Sequence, residues 1–223
     1  MPAEEHVSDE VVVVVAGGEL PRAEAVLLVS PGARVIAADR GLDHARALGL
    51  DVELAVGDFD SASPEAVNAA EEAGTRIERH PAEKDATDLE LALDAAVELR
   101  PRRVVVLAGV GDRLDHLLAA FLLLGAPRYS GIELDAHIGL ARVHVVRGER
   151  TLSGAPGELL SLLALHGPAA GIRTQGLTYP LDGETLGPGS SRGVSNVFAG
   201  ETATIRVEQG VLLAVRPGTG GVK

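Results

Sequence analysis

Short apolar runs at 11–16, 34–38, 52–56, 75–79, 103–108 and 132–136 alternate with helical patterns, and this alternation confines the fold more than any other feature. The runs are rich in Val, Ile and Leu, the texture of strands covered on both faces. Ser63-Pro64-Glu65 supplies a helix start, with Ser63 as cap and Pro64 in the first turn, and Gly74 ends that helix. Residues 88–99 carry a wide apolar stripe (Leu89, Leu91, Ala92, Leu93, Ala96, Val97) that stops before Pro101. Residues 114–124 read as a further helix. Such alternation predicts an α/β domain whose mostly parallel sheet carries helices on both faces.

Near residue 140 the texture changes. No strong helix follows; 142–147, 159–165, 203–208 and 211–216 read as short strands separated by Gly, Pro and Ser. Gln209-Gly210 reads as a tight hairpin turn between the last two. A small antiparallel sandwich or barrel is the expected second part.

With 223 residues the chain has room for one large domain or two modest ones. A hydrophobic content of 46% and a mean hydropathy of +0.18 place it among globular proteins. It has no Cys, hence no disulfide and no thiolate metal site. The run at 11–16 is far too short to cross a membrane, and its acidic flank (Glu4, Glu5, Asp9, Glu10) has the wrong sign for a secretory signal, so a cytoplasmic protein is expected. The net charge of −12 argues against nucleic acid or an anionic membrane as partner. It leaves room for a cationic substrate, and for ATP arriving with a metal ion.

Four polar clusters fall at or just after the carboxyl ends of the expected strands, the edge at which open parallel sheets bind ligands. They are Asp39-Arg40-Gly41, Gly57-Asp58-Phe59-Asp60-Ser61, Lys84-Asp85-Ala86-Thr87-Asp88 and Arg113-Leu114-Asp115-His116. Asp58 and Asp60 stand at i and i+2 where an apolar run stops, and on extended backbone they point to the same side. Two like charges so close need a cation between them, and a hard divalent ion, Mg²⁺ for preference, suits oxygen ligands. Each cluster also has a plainer interpretation. Asp39 can cap a helix, Asp58 and Asp60 can be turn residues, and Asp85 and Asp88 favour a helix start in any case. Arg113 and Asp115 can be a surface ion pair, and His116 an ordinary helix residue. Convergence on one edge is what favours a site. Of two lysines, one is terminal and the other, Lys84, sits within the acidic cluster, where an ammonium suits a phosphate. There is no P-loop, no full dinucleotide fingerprint after Gly17-Gly18, no His pair at zinc spacing and no serine-nucleophile elbow.

The ordered blocks Ala38-Asp39-x-Gly41, 57–61, Lys84-Asp85-x-Thr87-Asp88-Leu89-Glu90 and Gly111-x-Arg113-Leu114-Asp115-His116 resemble the thiamine pyrophosphokinase family. So do Gly176-Leu177-x-Tyr179-Pro180-Leu181 and Ser190-x-Arg192-Gly193-x-Ser195-Asn196. The resemblance implies a Rossmann-like α/β catalytic domain that binds ATP and Mg²⁺ (1–139), then a thiamine-binding β-sandwich domain (140–223), in a homodimer. It implies transfer of the pyrophosphoryl group of ATP to the hydroxyl of thiamine, giving thiamine diphosphate and AMP. Carried over by position, Asp58, Asp60 and Asp88 hold the metal and phosphates, and Asp39 lies close to the transferred group. Lys84, Asp85, Arg113, Asp115 and His116 line the ATP cleft, with Arg113 on phosphate. Ser195 and Asn196 hold thiamine near the subunit interface. The chain departs from the family pattern in having Arg40 where Gly is frequent and Asp112 where the second of two glycines is frequent. A charge pairing between the two is expected. With no Trp, any ring stacked on thiamine comes from Phe198, Tyr179 or the other subunit. The rival activities are pyrophosphoryl transfer to a hydroxymethyl pterin on the same scaffold and a non-catalytic sensor of thiamine diphosphate or nucleotide.

Overall fold

Val12, Val13, Val14 and Val15 expose none of their surface, because both faces of the strand that carries them are covered. In the computed structural model, residues 8–111 and 113–218 are described. The chain divides into two units. The first holds the described residues up to Ala120 together with Gly131–Gly139, the second Phe121–Ser130 and the described residues from Leu140. One division falls between Gly139 and Leu140, and residues 121–130 go with the second unit.

In the first unit β1 (Ser8–Val15), β2 (Arg34–Ala38), β3 (Leu54–Gly57), β4 (Arg76–Arg79), β5 (Pro101–Ala108) and β6 (Glu133–Ile138) pair in parallel, in the order β4-β3-β2-β1-β5-β6. Val13, Val15, Val35, Val105 and Leu107 form a core with Ala45 of helix α1 (Gly41–Ala47). Ala37 and Ala55 meet Ala66, Val67 and Ala70 of helix α2 (Pro64–Glu72). Helix α3 (Asp88–Glu98) packs on β1, β2, β3 and β5 and buries Ala92, Leu93 and Ala96 completely. Its apolar stripe is therefore the core face its spacing predicts. Helix α4 (Leu114–Leu124) matches its expected bounds, yet Leu114, Leu118 and Leu122 are 65%, 55% and 52% exposed. Among the described residues no helix is long and apolar enough to cross a membrane.

Ser63 caps α2 as expected. Its Oγ accepts from the Ala66 amide at 3.1 Å, while its own amide and hydroxyl both donate to the Asp43 carboxylate of α1. One residue thus starts one helix and ties it to another. Ser63→Ala should cost roughly 1–2 kcal/mol of unfolding free energy, measured by denaturant titration; a change below about 0.3 kcal/mol would show the cap to be dispensable.

The second unit is antiparallel. Three long strands, β7 (Ala141–Ser153), β8 (Leu159–Gln175) and β11 (Thr202–Arg216), lie in the order β8-β11-β7, with β9 (Asp182–Leu186) and β10 (Asn196–Val197) both on β8. Gln209-Gly210 is not a hairpin turn. β11 continues through it, and pairing shifts register between Gln209 and Val211 against β8 and between Val207 and Leu212 against β7. Gly210 sits at φ +90, and a β-carbon there would lie 2.5 Å from the Pro168 carbonyl oxygen. The glycine therefore lets one strand bend under close contact, as at a bulge. Bent in this way, both halves of β7, β8 and β11 contribute to one core, which includes Val146, Leu152, Leu162, Ile172, Ile205 and Leu212.

Candidate active site

The chain lays β1 to β4 outward in one direction and then places β5 on the other side of β1. The carboxyl ends of β1 and β5 are thus a topological switch point, where open sheets leave a crevice. Gly17 and Gly18 after β1 and Gly109 and Gly111 after β5 line a cavity of about 660 Å³ there, together with Asp39, Arg40, Asp58, Asp60, Ser61, Lys84, Asp88, Arg113 and His116. The wall comes from the ends of β1, β2, β3 and β5 and from the starts of α3 and α4.

Asp39 leaves β2 in the left-handed region, at φ +46, and the residue is 7% exposed. One oxygen accepts from the Ser61 hydroxyl; the other, Oδ1, is buried with no hydrogen-bond partner among the described residues. Burial pushes this carboxyl above its ordinary pKa, opposed by the Ser61 hydroxyl and the Arg40 amide and reinforced by the charges of Asp88 and Asp60. It does not cap α1, whose cap position is Arg40.

Asp58 and Asp60 do not extend a strand. β3 ends at Gly57, and Phe59 between the two carboxylates is left-handed, at φ +58. The Phe59 ring compensates that strain by packing on the α1–α2 core beneath the Arg79 guanidinium, 5.0 Å from its centroid. The carboxylates converge all the same: one oxygen from each of Asp39, Asp58 and Asp60 lies within 4.8 Å of the others. Gly57 makes room for this. A β-carbon on it would stand 3.0 Å from the Asp39 β-carbon and 3.2 Å from Asp88 Oδ1, at φ +154. A trio of carboxylates with an unsatisfied buried oxygen is a fitting donor set for a hard divalent cation.

Lys84 lies between Asp58, at 3.1 Å, and Asp88, at 2.9 Å. Burial alone would lower its pKa, but the hydrogen bonds and charges of Asp88 and Asp58 outweigh it and raise it. The same contact holds the Asp58 carboxyl below its ordinary value. Thr87, not Asp88, caps α3, accepting from the Glu90 amide at 3.2 Å, which leaves Asp88 free to face Lys84. Arg113 reaches Asp115 at 2.6 Å and depresses its pKa to about 2. Arg113 and His116 line the cavity; Asp85 and Asp115 do not. Asp112 lies outside the described residues, and with it the expected pairing to Arg40. Ser61 was not singled out by sequence reasoning, although its place in the 57–61 block was the available signal.

In the second unit Asn196 is committed to its own backbone. Its Oδ1 accepts from the amides of Tyr179, at 3.0 Å, and Val197, at 2.8 Å, and its Nδ2 donates to the Tyr179 carbonyl at 2.7 Å. Ser195 is left-handed, at φ +61, exposed, and donates its amide to Ser161 Oγ. Phe198 is 1% exposed beneath Arg216, whereas Tyr179 is 65% exposed. Of the two aromatics named for stacking, Tyr179 alone presents a ring.

Residues 27–135 match the family model of the thiamin pyrophosphokinase catalytic domain, and residues 142–212 that of the thiamin pyrophosphokinase vitamin B1 binding domain. The chain is 28% identical over 191 residues to a thiamine pyrophosphokinase of Bacillus subtilis, a match spanning 81% of this chain and 86% of that protein. Among solved structures it is similar to thiamine pyrophosphokinase from Bacillus subtilis, with a TM-score of 0.82 at 24% identity over 94% of this chain and 100% of that one. It is also similar to thiamin pyrophosphokinase from Geobacillus thermodenitrificans, with a TM-score of 0.79 at 27% identity over 96% of this chain and 100% of that one. A parallel sheet with a carboxylate-lined switch point, followed by an antiparallel unit, carries both family domains in their order, and the chain belongs to the thiamine pyrophosphokinase family.

Proposed function

We propose that the switch-point cavity is where this chain transfers the pyrophosphoryl group of ATP to thiamine. Family membership gives the overall reaction, ATP-dependent formation of thiamine diphosphate. The observation that supports this location is the Asp39–Asp58–Asp60 trio, one oxygen of each within 4.8 Å of the others, with Asp39 Oδ1 buried and without a hydrogen-bond partner among the described residues. Asp39, Asp58 and Asp60, with Asp88 beside them, are the residues that would hold Mg²⁺. When bound, the ion draws negative charge from phosphate oxygens and so makes phosphorus easier to attack.

The chain's own residues do the rest. The thiamine hydroxyl oxygen bonds to the β-phosphorus of ATP, the bond from that phosphorus to the α–β bridging oxygen breaks, AMP leaves, and the hydroxyl proton is released. Such transfers depend on in-line positioning and charge neutralisation more than on covalent chemistry. Lys84, held rigidly between two carboxylates, presents a fixed positive charge, and Arg113 offers a second on the same wall. The catalytic, ATP-binding role belongs to 1–139 and the thiamine-binding role to 140–223, with Ser195 on thiamine and Asn196 acting through the Tyr179 backbone it braces. The Leu114, Leu118 and Leu122 stripe of α4 supports a homodimer, a second copy being its natural cover.

Product analysis tests the function. Incubated with ATP, thiamine and Mg²⁺, the protein should give AMP and thiamine diphosphate in equal amounts. ADP with thiamine monophosphate would overturn pyrophosphoryl transfer, and AMP formed only with a pterin alcohol would replace the substrate. Tyr179→Ala should raise KM for thiamine about tenfold, roughly 1.4 kcal/mol, and leave KM for ATP within twofold. An unchanged thiamine KM would remove Tyr179 from the substrate.

A further inference from the structure

Arg40 differs from Lys84 and Arg113, the other two permanently charged cations on the cavity wall. Lys84 is held between Asp58 and Asp88, and Arg113 is paired with Asp115. Arg40 has no hydrogen bond or ion pair from its guanidinium among the described residues, and it lines the cavity with them. It also lines a second cavity of about 740 Å³, and Gly18, Ser61 and Gly111 border both as well. The two spaces therefore adjoin at Arg40. Its side chain starts beside the glycine turn, its β-carbon 3.7 Å from where a β-carbon on Gly17 would stand. Its backbone has a helical φ of −56, so the site is set by a rigid element, the start of α1, and not by a loose loop.

A charge argument follows. Asp39, Asp58, Asp60 and Asp88 all line the cavity, so an incoming polyphosphate meets four carboxylates. A divalent ion offsets part of that repulsion. Lys84 is already shared by two of the carboxylates and Arg113 is paired with Asp115, so part of each charge is offset and neither is wholly uncommitted. Arg40 has no such partner among the described residues, and a guanidinium is the side chain best shaped to grip phosphate oxygens through two parallel N–H donors. Burial chiefly holds the His44 imidazole below its ordinary pKa, and the nearby Arg40 charge adds to that lowering.

We propose that Arg40 binds the polyphosphate chain of ATP, at the junction of the two cavities. The proposal rests on the ATP-dependent activity assigned above and adds Arg40 to the residues placed on the nucleotide. Arg40 acts on the nucleotide and not on thiamine, which is itself a cation.

The test is calorimetric binding of α,β-methylene ATP, which cannot release AMP, to the full chain and to Arg40→Gln and Arg40→Lys, with Mg²⁺ at low and high salt. Both substitutions are on an exposed side chain with no side-chain partner among the described residues, and Gln removes the charge while keeping a polar side chain. Arg40→Gln should weaken binding about tenfold, roughly 1.4 kcal/mol, and flatten its salt dependence. Arg40→Lys should recover part of both, and KM for thiamine should stay within twofold. Binding by Arg40→Gln within twofold of the unaltered chain would overturn the proposal and leave the activity standing. A loss confined to thiamine would overturn it too, by placing Arg40 on the other substrate. If the unaltered chain neither binds the analogue nor forms AMP, the assigned activity falls and this proposal with it.

Discussion

Asp60→Asn should drop kcat/KM at least a hundredfold, a loss of about 2.7 kcal/mol of transition-state stabilisation, while the protein melts at or slightly above the temperature of the unaltered chain. The two halves come from one observation. The Asp60 side chain is exposed and its carboxylate has no hydrogen bond or ion pair among the described residues, so folding gains nothing from its charge. Burial chiefly raises the pKa of the Asp39 carboxyl, and the Asp60 charge adds to that rise, a repulsion that the amide relieves. A group that costs stability and makes no internal contact is explained by what it holds from outside the chain. Product assays and a thermal melt on one preparation decide the matter. Retention of more than about a tenth of the rate, a loss under roughly 1.4 kcal/mol, would remove Asp60 from the donor set. A melting point several degrees lower would make it a structural residue.

The site was legible in the sequence for a partly wrong reason. Spacing at i and i+2 was expected to align Asp58 and Asp60 on a strand, but the strand stops at Gly57 and a left-handed Phe59 turns the chain. What brings the carboxylates together is a tight loop held down by the Phe59 ring under Arg79, a contact between residues that pairwise spacing does not reveal. Asp39 joins the trio because the 57–61 loop folds back so that Ser61 donates to it, a tie across 22 positions. Local signals fared better where the cause is local. Ser63-Pro64 announces a helix because the cap and the first turn are consecutive residues, and α4 fits its expected range because its ends are set by its own apolar run. In the second unit the bend at Gly210 is dictated by the Pro168 carbonyl of the neighbouring strand. A Gln-Gly pair looks the same in a hairpin turn and in such a bend, and the core on which both strand halves close decides between them.

Lys84→Met should act in two directions at once. It should lower kcat/KM about a hundredfold, roughly 2.7 kcal/mol, and should also raise the affinity of the nucleotide-free protein for a divalent ion. The ammonium sits 3.1 Å from Asp58 and 2.9 Å from Asp88, with all three side chains under a third exposed. In the free protein it occupies part of the space and neutralises part of the charge that a divalent ion needs, so removing it lets the carboxylates attract cations more strongly. Once ATP is present the balance reverses, because the polyphosphate then faces the carboxylates without that fixed positive charge. Asp58 reports on the same change. Its pKa is held down chiefly by the Lys84 hydrogen bond, so it should move up toward the ordinary carboxylate range in the variant, visible in a carbon-detected NMR titration. Mn²⁺ binding followed by electron paramagnetic resonance gives the metal affinity without turnover. If that affinity falls with the rate, Lys84 serves to hold Asp58 and Asp88 in place, and its charge is not what the reaction uses.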